Sequence, residues 1–145
     1  MSKPESWQLQ AANYPVSLLT PTRFQDMDPN RHLNNVAFAT MFENARVRLN
    51  RSLRPWADRP RNERSMIAAI TINYLREGQY PDDVTVCSGV SKIGTSSYVI
   101  SQAMFQHDKC IATADSVIVC RTDGEAKPLR QEVVAELESM LINRD

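Results

Sequence analysis

Glycine is scarce in this chain, four residues in 145, and none stands in a Gly-rich loop of the kind that binds a dinucleotide. Cysteine is scarcer still: Cys87, Cys110 and Cys120 are odd in number and lack metal-ligand spacing. They fall inside apolar strand patterns, which argues against bridges and for reduced, buried thiols. Neither sign of charge is in excess, since seventeen basic and seventeen acidic side chains cancel. No overall field therefore recommends nucleic acid or an anionic membrane as a partner. No apolar run approaches the roughly 18 residues of a membrane span, and the N-terminal residues are polar rather than signal-like. There is no metal constellation, no Ser-His-Asp set in a nucleophile-elbow context, no internal repeat and no low-complexity tract. A soluble cytoplasmic protein is the expectation.

What is present suffices for one domain over 1–145 with its own core, with 42% of residues hydrophobic. Residues 1–14 read as a loosely ordered lead-in. Val16 to Leu19 is a short apolar run, broken at Pro21 and resumed at Thr22, which predicts a bent first strand. Residues 54–65 hold two prolines and four arginines without an apolar period. They form either a solvated linker, with Trp56 packing it down, or a source of cationic contacts to a phosphate-bearing ligand. From Ile67 the period becomes two, with Ile70, Ile72 and Tyr74 alternating with Thr71, Asn73 and Leu75. Three further runs follow, over 84–90, 99–105 and 111–119. The breaks at 78–83, 93–95 and 107–109 are short enough for antiparallel connections. Together with the first strand this predicts a meander of about five. Pro128 opens a final helix whose apolar positions are Leu129, Val133, Leu137, Met140 and Leu141.

The chain is organised around Arg23 to Leu49, RFQDMDPNRHLNNVAFATMFENARVRL. Arg23 to Asp28 reads as the end of an extended strand, stopped by Pro29, which has no N–H for a ladder. Asn30 to Asn35 is a polar turn. From Val36 a helix starts, with Phe38, Met41, Phe42, Ala45, Leu49 and Leu53 on one stripe. Asn34 or Asn35 is placed to cap it. At the helix mouth gather Asp26, Asp28, Asn30, Asn34, Asn35 and His32, one of two histidines in the chain. A helix N-terminus there presents unpaired N–H groups and a partial positive charge.

The pattern Arg-Phe-x-Asp-x-Asp-x-x-x-His-x-Asn-Asn, running into a helix with Phe-Glu-Asn-Ala-Arg, resembles the hot-dog acyl thioesterases. Both the 4-hydroxybenzoyl-CoA thioesterase type and the plant acyl-carrier-protein thioesterases share it. The likeness continues through ITINYLREGQ at 70–79 and SKIGTSSYVI at 91–100 and covers roughly residues 16–140. It implies an α+β fold, a single hot-dog domain in which an antiparallel sheet of about five strands wraps one long helix, plus a C-terminal helix. It also implies a homodimer with sheets paired edge to edge, or a tetramer of stacked dimers. Strands apolar on both faces, such as 84–90, point to burial against a partner as well.

Thioester hydrolysis needs a carbonyl held where negative charge can develop, and a carboxylate that attacks it or activates water. By resemblance Asp28 is that carboxylate, as nucleophile or general base; the residue alone would also suit an Asx turn. The oxyanion donor would be the backbone N–H of Asn35 or its neighbour Val36. Asn30 and His32, two and four residues after Asp28, resemble the Asp-x-Asn-x-His of the plant enzymes. His32 would polarise water or hold the carboxylate, or else merely pack or cap. Glu77 stands where the plant Tyr-Arg-Arg-Glu has its catalytic glutamate, or is an exposed strand-end charge. Gly78 replaces the cysteine that follows there, which excludes a cysteine nucleophile. Asp26 reads as structural, paired with Arg46 or Arg48, and Glu43 as a supporting helix carboxylate. Lys92, Ser96 and Ser97 occupy the turn that in relatives touches coenzyme A, although any turn could carry them for solubility.

The implied activity is hydrolysis of acyl-CoA to a free acid and coenzyme A, which enters as part of the substrate rather than as a cofactor. An acyl-carrier-protein thioesterase is the near alternative. A non-catalytic acyl-CoA-binding protein is disfavoured by Asp28 and His32, and a hot-dog hydratase by the lack of its motif.

Overall fold

The computed structural model describes residues 3–53 and 58–145. Its long helix, α1, spans Asn35–Ser52, and Asn34 caps it, Oδ1 accepting from the Ala37 N–H at 2.7 Å. The cap satisfies a donor that the first helical turn cannot. Phe38, Met41, Phe42, Ala45 and Leu49 are all buried, so the stripe becomes the face that meets the sheet. Phe42 is 1% exposed, and truncating such a side chain to alanine costs about 3–5 kcal/mol.

Six strands form one antiparallel sheet: β1 (Val16–Thr20), β2 (Glu63–Tyr74), β3 (Val84–Ile93), β4 (Ser97–Gln106), β5 (Lys109–Thr122) and β6 (Glu125–Ala126). A second helix, α2, covers Gln131–Glu138. The architecture is the expected α+β arrangement. Val84, Val86, Met104, Ala112 and Ala114 meet the stripe of α1, while Val90, Tyr98, Ile100 and Ile118 meet its C-terminal end and Leu137 of α2.

The strand order is β1-β3-β4-β5-β2, with β6 beside β5. The expected meander therefore holds only from β3 to β5. Residues 75–83 do not close a hairpin; they carry the chain from β2, at one edge, past two strands to β3. Alternation reports that a segment is extended, not which strand it pairs with. Strand β2 also begins at Glu63, inside the stretch expected to be loop.

Four further expectations are corrected. Arg23–Asp28 is no strand end: Phe24–Asp26 is a 3-10 turn, closed by the Asp26 carboxylate, which accepts from the Arg23 N–H at 2.8 Å. That carboxylate also pairs with the Arg23 guanidinium at 2.9 Å, not with Arg46 or Arg48, because the partner three residues away is already in reach. The last helix does not run from Pro128 to Leu141. Strand β1 covers β3 only as far as Ser88, so Val90 keeps a free edge, and its N–H and C=O take Met140 O and Ile142 N. Lastly, the lead-in is packed. Trp7 and Tyr14 join Cys87, Ala103, Phe105 and Ile142 on the outer sheet face, and the Tyr14 hydroxyl donates to Gln8 O at 2.8 Å.

That packing changes which strand lacks cover. Both faces of the 84–90 segment are buried within the chain, so its two-sided apolarity needs no partner. Strand β2 is the uncovered one: Met66, Ile67, Ile70 and Tyr74 are 41–50% exposed on a strand whose outer edge is unpaired.

Candidate active site

The turn between the 3-10 segment and α1 is closed twice over. The backbone closes it through Asp28 N to His32 O at 2.8 Å and Arg31 N to Asp28 O at 3.0 Å. Arg31 takes the left-handed conformation, φ 64°, that such a tight reversal demands. The Asp28 side chain closes it again, Oδ1 accepting from Asn30 N at 2.8 Å and His32 N at 3.2 Å. Asp28 Oδ2 meets no donor among the described residues, and the residue is half-buried. One oxygen thus fixes the carboxylate in the turn.

The turn is clamped to the segment after β2. Leu33 N donates to Gly78 O at 2.8 Å, and Asn34 N to Asp26 O at 2.8 Å. A Cβ on Gly78 would lie 2.7 Å from Leu33 Cδ1 and 3.2 Å from Ile111 Cδ1, so a larger residue there would have to displace these side-chain ends. This clamp brings His32 Nε2 to 3.0 Å from Glu77 Oε2. The His32 ring is therefore turned to Glu77, and it is the His32 backbone N–H that holds Asp28.

At the mouth of α1 the cap uses the Ala37 N–H, and Phe38 N bonds Asn34 O at 3.3 Å. The N–H groups of Asn35 and Val36 take no acceptor among the described residues. Tyr74, on β2, donates its hydroxyl to Asn35 O at 3.3 Å and packs edge-on to Phe38 at 5.4 Å. An exposed edge-to-face pair, Phe24 and Tyr80 at 6.0 Å, borders the same corner. Asp28, Asn30, His32, Asn35, Val36 and Glu77 thus share one end of the molecule. The unpaired N–H groups and helix dipole favour negative charge beside a fixed carboxylate.

Residues 22–137 match the family model of the thioesterase-like superfamily. The chain belongs to that superfamily. It is a thioester hydrolase by family, and its fold is the hot-dog fold. Among similar solved structures is a Thermus thermophilus thioesterase complexed with coenzyme A and Zn. That protein is 26% identical, with 88% of this chain and 94% of that one covered and a TM-score of 0.78. The PA5185 protein of Pseudomonas aeruginosa matches with a TM-score of 0.80 at 19% identity, over 93% and 97% of the two chains. A DHNA-CoA thioesterase of Staphylococcus aureus matches at 0.70 and 21% identity, over 85% and 87%. At those identities the last two show the shared fold alone. No curated protein matches the sequence.

Not every expected residue of this thioesterase reaches the helix mouth. Lys92 lies eight residues along β3 from Val84, roughly 26 Å at ~3.3 Å per residue. Ser96 and Ser97 share that far end, where Ser96 O accepts from Cys120 N at 2.9 Å. A single subunit does not unite them with Asp28. Arg54 and Trp56 lie outside the described residues. Arg59 lines a small cavity with Glu63 and Arg130, also at the far end. Glu43 does not touch Asp28; it is 69% exposed and stands 4.0 Å from Arg46 Nη2. Arg46 itself was not singled out as buried, yet α1 buries it. Among the described residues no group of three or more His, Cys, Asp or Glu is arranged to hold a metal ion, and no helix is long and apolar enough to cross a membrane.

Proposed function

We propose that this thioesterase hydrolyses acyl-CoA esters, with Asp28 as the catalytic carboxylate. The observation that carries the reading is Asp28 itself: Oδ1 is fixed by two turn N–H groups, and Oδ2 takes no donor among the described residues, in the turn that leads into the helix start at Asn35 and Val36. A thioester carbonyl set on those N–H groups gains most when it becomes an oxyanion, so the contact favours the transition state over the ground state. Asp28 Oδ2 then either attacks the carbonyl carbon, expelling coenzyme A thiolate and leaving a mixed anhydride that water cleaves to the free acid, or takes a proton from a water that attacks the carbonyl as the C–S bond breaks and the thiolate leaves. Glu77 orients the His32 imidazole, which serves as the positioning group for water, while Asn30 keeps the turn closed through its backbone N–H.

The reading includes a homodimer built on the exposed edge of β2. Two β2 strands paired antiparallel carry the far end of one sheet toward the helix mouth of the other. Lys92, Ser96 and Ser97 then serve the partner's site, as contacts for the phosphates of coenzyme A. The three free cysteines suit a reducing compartment, the cytoplasm. Coenzyme A as the carrier is supported by the Thermus relative's complex. The test is a panel of acyl-CoA and acyl-carrier-protein esters assayed by release of free thiol. Turnover of acyl-CoA is expected. Turnover of acyl-carrier protein alone would reassign the carrier, and tight binding of acyl-CoA without turnover would make this a binding protein.

A further inference from the structure

Arg46 is the one charged side chain that α1 buries, 4% exposed against the sheet. Its guanidinium makes a single hydrogen bond among the described residues, Nη1 to the Ser116 hydroxyl at 3.2 Å. Nη2 stands 4.0 Å from Glu43 Oε2, beyond hydrogen-bond reach, and Glu43 is mostly in solvent. Burial pushes the guanidinium pKa down, with Glu43 only partly opposing it, but arginine stays charged. A guanidinium carries five donors in a planar fork; no Arg46 nitrogen is a fully buried atom without a partner, so the donors that Ser116 does not use keep an opening to solvent.

Those donors border a groove of about 210 Å³ between α1 and β2, with Val47, Met66, Ile67 and Ile118 as its apolar walls and Asn50, Ser65 and the Glu43 carboxylate beside them. The groove is aligned with the site. Ser116 lies opposite Ile70 on β2, four residues before Tyr74, whose hydroxyl reaches Asn35 O. Four strand residues span ~13 Å, which is the reach of roughly ten carbon–carbon bonds at about 1.3 Å of advance each. Ile70 and Tyr74, both half-exposed, are apolar side chains of β2 along that interval.

We infer that the groove receives the acyl part of the substrate and that Arg46 binds an oxygen at its far end. The substrate class is a medium-chain acyl group carrying a terminal hydroxyl, keto or carboxylate oxygen, rather than a plain saturated chain. The inference rests on the thioesterase reading of the helix mouth, but its binding arm does not need turnover. Arg46 specifies the substrate by offering a fork that an unsubstituted methyl end cannot fill.

The experiment measures binding of the non-hydrolysable CoA thioether analogues of decanoate, ω-hydroxydecanoate and decanedioate by calorimetry, so that the head group is fixed and only the far end differs, and kcat/KM for the three CoA esters. The intact protein, Arg46→Met and the surface variant Arg48→Met are compared. The intact protein and Arg48→Met should favour the oxygenated ligands over the decanoate analogue by roughly tenfold or more. In Arg46→Met that preference should collapse to near one. Removing a buried charge in favour of a similar apolar shape is tolerated by folds, and thermal melting checks it. Equal affinity of the intact protein for all three analogues, or binding of none, overturns the inference. So does a preference that survives in Arg46→Met, or an assembly that dissociates in it, which would assign Arg46 to a partner contact. Hydrolysis of no CoA ester, with the Arg46-dependent preference intact in calorimetry, would sink the hydrolytic reading and leave this one standing.

Discussion

Asp28→Asn separates the two tasks that the proposed mechanism gives to one side chain. The asparagine Oδ1 can still accept from Asn30 N and His32 N, so the turn stays closed. What is lost is the negative charge on the free oxygen. Losing a positioned base typically costs at least ~10²-fold in kcat, about 2.7 kcal/mol. Asp28→Ala removes the acceptor as well, and an unsatisfied turn of this kind costs about 1–2 kcal/mol of stability. In a domain of this size that lowers Tm by about 2–8 °C. The pair of variants therefore gives a signature: kcat falls in both, Tm falls only in Asp28→Ala, and KM changes little in Asp28→Asn. Thiol release on the best acyl-CoA of the panel, with thermal melting alongside, reads all three. Near-normal turnover by purified Asp28→Asn would refute the mechanism and shift the carboxylate's role to Glu77.

Other outcomes follow from the same geometry. Sedimentation should show a dimer or tetramer, and a stable 16.4 kDa monomer at micromolar concentration would remove both the β2 interface and the shared site. Lys92→Ala should raise KM more than it lowers kcat, and affinity for coenzyme A should fall with salt; an unchanged KM would take Lys92 out of the site. His32→Ala and Glu77→Gln should each lower kcat less than Asp28→Asn does. Their double variant should lose no more than the larger single one, because the two side chains act as a pair 3.0 Å apart; losses that multiply would show separate roles. Burial lifts the Cys87 and Cys110 thiols from 9.0 to about 11. At pH 8 their thiolate fraction is about 100-fold below that of the unfolded chain, so a thiol reagent should label them slowly until denaturant is added. Both thiols bind protons more tightly when folded. Their contribution to stability is complete below pH 9 and is lost as pH rises through about 11, which melting curves across that window would show.

Much of the scaffold was legible in the chain. The stripe from Phe38 to Leu49, the Asn34 cap and the breaks before β4 and β5 are set by neighbours a few residues apart, and the structure keeps them all. So is the Asp28 turn, since Pro29, Asn30 and the left-handed Arg31 act within one reversal. The strand order was not legible. Both β2 and β3 alternate, and alternation is the same whether a strand pairs with its successor or with β5. The uncovered strand was misjudged for a related reason: both faces of β3 are apolar, but what covers the outer one is Tyr14 and Ile142, near the two ends of the chain.

Within the site the same division holds. Composition and order placed Asp28, Asn35 and Val36 together, because a turn and the helix it feeds are adjacent in the chain. Only the tertiary structure set His32 on Glu77, put Lys92 at the far end of the sheet, and buried Arg46 against Ser116 across 70 residues of sequence. Local periods and caps are decided by steric and hydrogen-bonding choices among near neighbours. Burial and pairing are decided by which distant surfaces meet, and no window of the sequence contains both.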